Sequence, residues 1–184
     1  MRFNICKTLA VSSVLCAATL GNNAYALKRT VGDWGDITMF LANGWALGMT
    51  CMEKDWDGTA QYLESMLGAQ LTTEIIKTRI VHEPRPNNMN TESFPSGHAT
   101  GAFSAPMFIH RRYGWKQSLI PYGLAIFTGF SRVYERMHYT HDVLAGAAVS
   151  ALFTWMFVSP SDSTVRMWPS FSSDGAELRF STKF

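Results

Sequence analysis

Five stretches of helical length, separated by short polar breaks, constrain this chain more than any other feature of its sequence. Ile37 to Met52 is a run of 16 uncharged residues. Gln61 to Ile80 carries Tyr62, Leu63, Met66, Leu67, Leu71, Ile75 and Ile76 at spacings of one, three and four, the pattern of an amphipathic helix. Ala99–Arg111, Leu119–Val133 and Asp142–Val158 are three further helices, the second with Pro121 near its start, where proline is tolerated. Between them, His82–Phe94 reads as loop, with Pro84, Pro86 and two consecutive asparagines, and Pro95 follows. The expected fold class is all-α: a compact bundle of about five to six helices, with a short C-terminal β-hairpin after Pro160. The hairpin rests on the alternation of Leu178, Phe180, Thr182 and Phe184 beyond a Ser-Ser-Asp-Gly break.

The expected domain plan is a signal segment over 1–26, one helical domain over 27–160 and the hairpin or tail over 161–184. Arg2 and Lys7 form a basic head, Thr8 to Leu20 an apolar stretch, and Ala24-Tyr25-Ala26 a small-x-small cleavage site. Losing that segment removes two bases and no acid, leaving 14 basic and 14 acidic residues, so nothing in the charge points to a nucleic-acid partner. It also removes Cys6 and Cys16, and Cys51, in its apolar run, is expected in the core. The uncharged run from Val143 to Ser161 suits either a buried bundle helix or a short membrane helix. Trp155 and Trp168 suit either a core or a membrane interface.

Three separated segments hold most of the informative polar residues: Lys77, Arg79 and Arg85-Pro86; then Pro95-Ser96-Gly97-His98; then Ser131-Arg132 with His138 and Asp142. Singly each is ordinary, but together they suit an oxyanion. A phosphoryl group in transit spreads charge over three equatorial oxygens, and guanidinium groups such as Arg85 and Arg132 can each grip two of them. Ser96 and Gly97 lie just before a helix, where a hydroxyl and backbone N–H groups can face an anion. If the last helix reaches back to His138, that residue and Asp142 share a face, and the carboxylate takes one ring proton and leaves the other nitrogen to attack phosphorus. His98 is then the candidate general acid, and later the base that activates water. The metal alternative draws on His82, His98, His138, His141 and Asp142, but arginines among the ligands repel a cation and no zinc-like spacing occurs. His82 and His141 are expected in surface or supporting roles.

These segments resemble the signature of the type 2 phosphatidic acid phosphatase and vanadium haloperoxidase superfamily: Lys-x6-Arg-Pro, Pro-Ser-Gly-His, then Ser-Arg-x5-His-x3-Asp. The second and third match without departure. In the first, seven residues rather than six separate Lys77 from Arg85, and Thr78 stands in register. Either Lys77 reaches round or Arg79 substitutes. The resemblance implies a metal-independent phosphatase without a cofactor, a phosphohistidine on His138, and a substrate that is a phosphorylated lipid or a soluble phosphate ester. The signal segment, for its part, implies an exported, periplasmic protein, either free or associated with a membrane. A vanadate-dependent haloperoxidase and a non-catalytic anion-binding module are the alternatives.

Overall fold

The computed structural model describes the backbone of residues 5–161, 165–172 and 175–182, and side chains over 27–161. Five helices make the fold: α1 (Ile5–Met52), α2 (Trp56–Ile75), α3 (Gly97–Tyr113), α4 (Trp115–Tyr134) and α5 (Thr140–Phe157). A π-helical turn, Ile76–Ile80, prolongs α2. The all-α expectation holds over residues 5–161. The C-terminal hairpin is not part of the supported fold. Backbone segments Val165–Ser172 and Gly175–Thr182 run antiparallel, but their side chains lie outside the described residues. So do the side chains of the expected signal segment.

α2 departs from its expected amphipathic packing. Its inward face is Gln61, Ser65, Ala69, Thr73 and Lys77, a stripe at intervals of four, while Leu67, Leu71 and Ile75 are 55%, 64% and 54% exposed. The same inversion recurs around the bundle. α5 buries Asp142, Gly146, Ser150 and Thr154 and exposes Leu144, Leu152, Trp155 and Met156. α4 buries Ser118, Thr128, Ser131 and Arg132 and exposes Leu119, Ile120, Ile126 and Phe130. Small residues at intervals of four let helix backbones approach closely, and buried hydroxyls bridge them, as Thr73 does to Thr100 at 2.9 Å and Ser150 to the Thr100 carbonyl at 2.6 Å. Gly146 is one such point, where a Cβ would lie 2.6 Å from the Ser96 carbonyl oxygen. Cys51, expected in the core, is exposed, because the inward positions of α1 are Ala42, Ala46 and Thr50.

An apolar cluster of Tyr62, Phe108, Ile109 and Val158, with Ala42, Ala46 and Ala105, lies toward one end of the bundle. Beside it the Arg112 guanidinium forks onto Asp55 at 2.6 and 2.7 Å and reaches the Ser159 carbonyl at 2.8 Å. Burial by itself raises the Asp55 pKa, but hydrogen bonds from Arg112, the Gly58 N–H and Tyr113 outweigh it and hold the group at about 2. This lock ties the start of α2 to the ends of α3 and α5. At the opposite end of the bundle, the N-termini of α3 and α5 meet the C-termini of α2 and α4. Two helix N-termini there present positive dipole ends and free N–H groups, and all three polar segments converge on them.

Candidate active site

His138 lies outside α5, which starts at Thr140 with Tyr139 as its N-cap. The shared helical face expected for His138 and Asp142 is therefore absent. Instead, His138 Nδ1 lies 2.8 Å from the carbonyl oxygen of Ser93, in the loop after the π-turn, and 3.5 Å from Asp142 Oδ2. With Nδ1 donating to that carbonyl, Nε2 is the nitrogen left for chemistry. Asp142 is fully buried and accepts from the Ser93 hydroxyl at 2.5 Å and from the Tyr139 N–H at 2.8 Å. The carboxylate thus caps α5 and fixes Ser93, and Ser93 orients the imidazole. Burial, then Arg85 and Lys77, push the His138 pKa down to about 4, against the smaller upward pull of the Ser93 carbonyl and Asp142.

The π-turn resolves the displaced lysine. It closes with the Val81 N–H on the Ile76 carbonyl at 2.8 Å, an i to i+5 bond that takes up one residue more than an α-turn. Lys77 consequently stays on the inward stripe of α2, buried, with its amine so close to Gly97 that a Cβ there would sit 3.5 Å from Nζ. Thr78 turns out and bonds back to the Glu74 carbonyl at 2.7 Å, and Arg79 is exposed. Burial lowers the Lys77 pKa and Arg85 adds to that, while Glu74, Glu92 and Asp142 oppose.

The two arginines differ. Arg85 Nε is buried without a hydrogen-bond partner among the described residues, and its Nη1 meets only the Met137 sulfur at 3.9 Å. A buried guanidinium N–H with no oxygen to bond is suited to an incoming anion. Arg132 is instead held by the Gly32 carbonyl at 2.6 Å, the Ser131 hydroxyl at 3.0 Å and Asp36 at 3.3 Å. Its two-oxygen grip on an anion is thus shared with α1. Ser96, also buried, accepts from the Ala99 N–H at 3.4 Å as the N-cap of α3, and its own N–H bonds the Asp142 carbonyl. His98 stands one residue into α3 with Nε2 3.2 Å from Asp36 Oδ1.

Ser93, Asp36 and Glu83 went unnoticed in the sequence. Ser93 lies two residues before the Pro-Ser-Gly-His tetrad and could have been found as the loop hydroxyl nearest it. Asp36 carries no local signal. Glu83 pairs with His141, whose Nε2 lies 3.0 Å from both Glu83 Oε1 and Asp142 Oδ1. These three bring ligand atoms within 4.8 Å of one another and could hold a cation, although a proton on His141 would join the same two carboxylates. His82 is exposed in the loop.

Residues 58–163, more than half of the chain, match the family model described as the PAP2 superfamily. Among curated relatives, a lipid A 4'-phosphatase of Helicobacter pylori is 35% identical over 117 residues, covering 63% of this chain and 59% of that protein. The undecaprenyl-diphosphatase BcrC of Bacillus subtilis is 36% identical over 107 residues, covering 51% of this chain and 53% of that protein. The chain thus spans little more than half the length of these two relatives. The crystal structure of Aquifex aeolicus LpxE superposes with a TM-score of 0.55 at 18% identity, covering 71% of this chain and 91% of that one, a likeness of fold. From the matched segment, the three motifs inside it and the shared helical fold, it follows that this chain belongs to the PAP2 superfamily.

Proposed function

We propose that the chain is a metal-independent phosphatase that removes phosphate from a lipid-borne monoester or pyrophosphate through a phosphohistidine on His138. The observation that carries this reading is the buried imidazole of His138, its Nδ1 tied to the Ser93 carbonyl beside Lys77 and Arg85. Nε2 attacks phosphorus in line as the bond to the leaving oxygen breaks. Lys77, Arg85, Arg132 and the N–H groups at the start of α3 take up the equatorial charge. His98 gives its proton to the leaving oxygen, then removes one from the water that attacks the phosphohistidine and frees phosphate.

The lipid assignment rests on the inverted helices. A bundle that buries its small and hydroxylic residues and turns Phe40, Leu41, Trp45, Leu119, Ile126 and Trp155 outward suits contact with an apolar phase. Among the described residues no helix is long and apolar enough to cross a membrane, so the proposal is association with a bilayer. The named relatives act on lipid A and undecaprenyl diphosphate, and those two classes head the substrate candidates. Export, with residues 1–26 as a cleaved signal, belongs to the same proposal.

The test is inorganic phosphate release, with chelator present, from lipid A phosphates, undecaprenyl diphosphate, phosphatidic acid and soluble esters in detergent, with alkaline-detergent quenching to trap an acid-labile, base-stable phosphoenzyme. Chelator-resistant turnover of a lipid and a labelled histidine are expected. Turnover of soluble esters alone would remove the lipid part, and loss of activity to chelator would remove the metal-independent mechanism.

The π-turn yields a prediction here. Lys77→Ala is expected to lower kcat/KM by about 10- to 100-fold, the worth of a charged hydrogen bond of about 1.5–3 kcal/mol. Arg79→Ala should stay within about 2-fold, as surface charges usually do. Steady-state kinetics on both variants decides it, and a larger loss at Arg79 would reverse the assignment.

A further inference from the structure

We propose that Asp36 is the carboxylate partner of His98, a positioning residue carried by α1 that holds the ring and its proton ready for the leaving group. The inference rests on the phosphatase reading above and adds to it a residue outside the matched segment 58–163. Asp36 Oδ1 lies 3.2 Å from His98 Nε2 and 3.3 Å from an Arg132 Nη. That oxygen faces inward, out of solvent, although the side chain as a whole is 45% exposed. Neither contact closes to full hydrogen-bond geometry in the free protein, as is common at catalytic groups before substrate tightens them.

α1 is placed for this role by its glycines. A Cβ on Gly35 would lie 1.9 Å from the Ser131 hydroxyl and 2.6 Å from an Arg132 Nη. A side chain there would therefore push α1 off α4 and carry Asp36 away from both partners. The Gly32 carbonyl, one turn earlier, anchors the same guanidinium.

The chemistry of the surroundings explains why His98 needs this partner. Burial lowers its pKa, and so do Arg132 from α4, Lys77 from the π-turn and Arg85 from the loop, while Asp36 alone among the named neighbours raises it. Without that carboxylate the pKa would fall further and the ring would hold its second proton less readily. Glu135, the C-cap of α4, stands behind, 3.6 Å from Arg132; its own pKa is raised by burial foremost, with Arg132 opposing and Asp36 and Asp33 adding. With Asp36 accepting at Nε2, Nδ1 is the nitrogen that passes a proton to the leaving oxygen as the P–O bond breaks. It later takes one from water as the new P–O bond forms and the P–N bond to His138 breaks. This is the division of labour of a histidine–carboxylate pair.

A general acid matters only when the leaving group needs a proton, and that separates the role from a structural one. The experiment compares wild type, Asp36→Asn and Asp36→Glu on an alkyl phosphate and on p-nitrophenyl phosphate, recording kcat/KM across pH. Asp36→Asn is expected to lose about 10- to 100-fold on the alkyl ester and under about 3-fold on the aryl ester, whose phenolate leaves unaided. The alkaline limb for the alkyl ester, where the acid loses its proton, should move to lower pH, and Asp36→Glu should recover most of the loss. Equal losses on the two esters with an unmoved limb, or no loss on either, would overturn the inference while leaving the phosphatase reading intact. Failure of wild type on both esters and on the lipid panel would overturn both together.

Discussion

His138→Ala should abolish phosphate release, lowering kcat by at least about 10³-fold, because it removes the atom to which phosphorus is transferred in the proposed mechanism. The side chain is buried, so a drop in activity by itself could reflect a cavity, and circular dichroism with a melting curve must accompany it. The decisive companion measurement is retention of phosphate binding: Lys77, Arg85 and Arg132 remain, so inorganic phosphate should still bind within about 10-fold of wild type while the trapped phosphoenzyme disappears. A variant that still formed a labelled enzyme would end the assignment. The same residue sets an acid limb. Its pKa is depressed to about 4 by burial and by Arg85 and Lys77, and only the neutral ring attacks, so kcat/KM should rise as pH rises through about 4. Arg85→Met removes one depressing cation and should move that limb to higher pH.

Asp142→Asn should cost about 10²- to 10³-fold in kcat, although its side chain lies 3.5 Å from His138 Nδ1 rather than in hydrogen-bond contact. The reasoning runs through Ser93. The Asp142 carboxylate accepts both the Ser93 hydroxyl and the Tyr139 N–H on Oδ2; an amide there gives up the charge that strengthens both bonds, and in its flipped orientation it turns N–H toward both donors. Ser93 then loses its tether, and the carbonyl that selects the His138 tautomer is free to drift; a wrong tautomer has cost about 10⁴-fold in a serine protease triad, a more demanding case. Ser93→Ala keeps the carbonyl but loses the tether, and should cost about 10-fold. Because the two changes break one chain of contacts, the double variant should fall no further than Asp142→Asn by itself. If Ser93→Ala is neutral while Asp142→Asn is severe, the carboxylate acts on His138 directly, as the i, i+4 spacing first suggested.

The helices were legible because their lengths and breaks are local. Proline and asparagine mark the loop from His82 to Phe94, and the capping Ser96 marks the start of α3. The identities of Lys77, Arg85, His98, Arg132, His138 and Asp142 were legible for the same reason, since motif order and spacing survive without any contact being known. Two readings of those residues were altered by the fold. The extra residue between Lys77 and Arg85, which seemed to rotate the lysine away, is absorbed by one wide turn of helix. The spacing of His138 and Asp142, which suggests one helical face, spans instead a helix cap, where i and i+4 are not neighbours on a cylinder.

The sequence by itself determined that the chain is helical, and it offered two histidines, an aspartate and a set of cations as the candidate groups for a phosphoryl site. Tertiary structure alone decided which carbonyl holds His138, that Asp36 meets His98 and Arg132, and which side of each helix faces inward. Partners distant in sequence leave no local trace of their meeting. Periodicity, moreover, has no sign: Leu63, Leu67, Leu71 and Ile75 form the same stripe whether it packs on a core or faces outward, and only the stripe of Gln61, Ser65, Ala69, Thr73 and Lys77, seated against its neighbours, tells which.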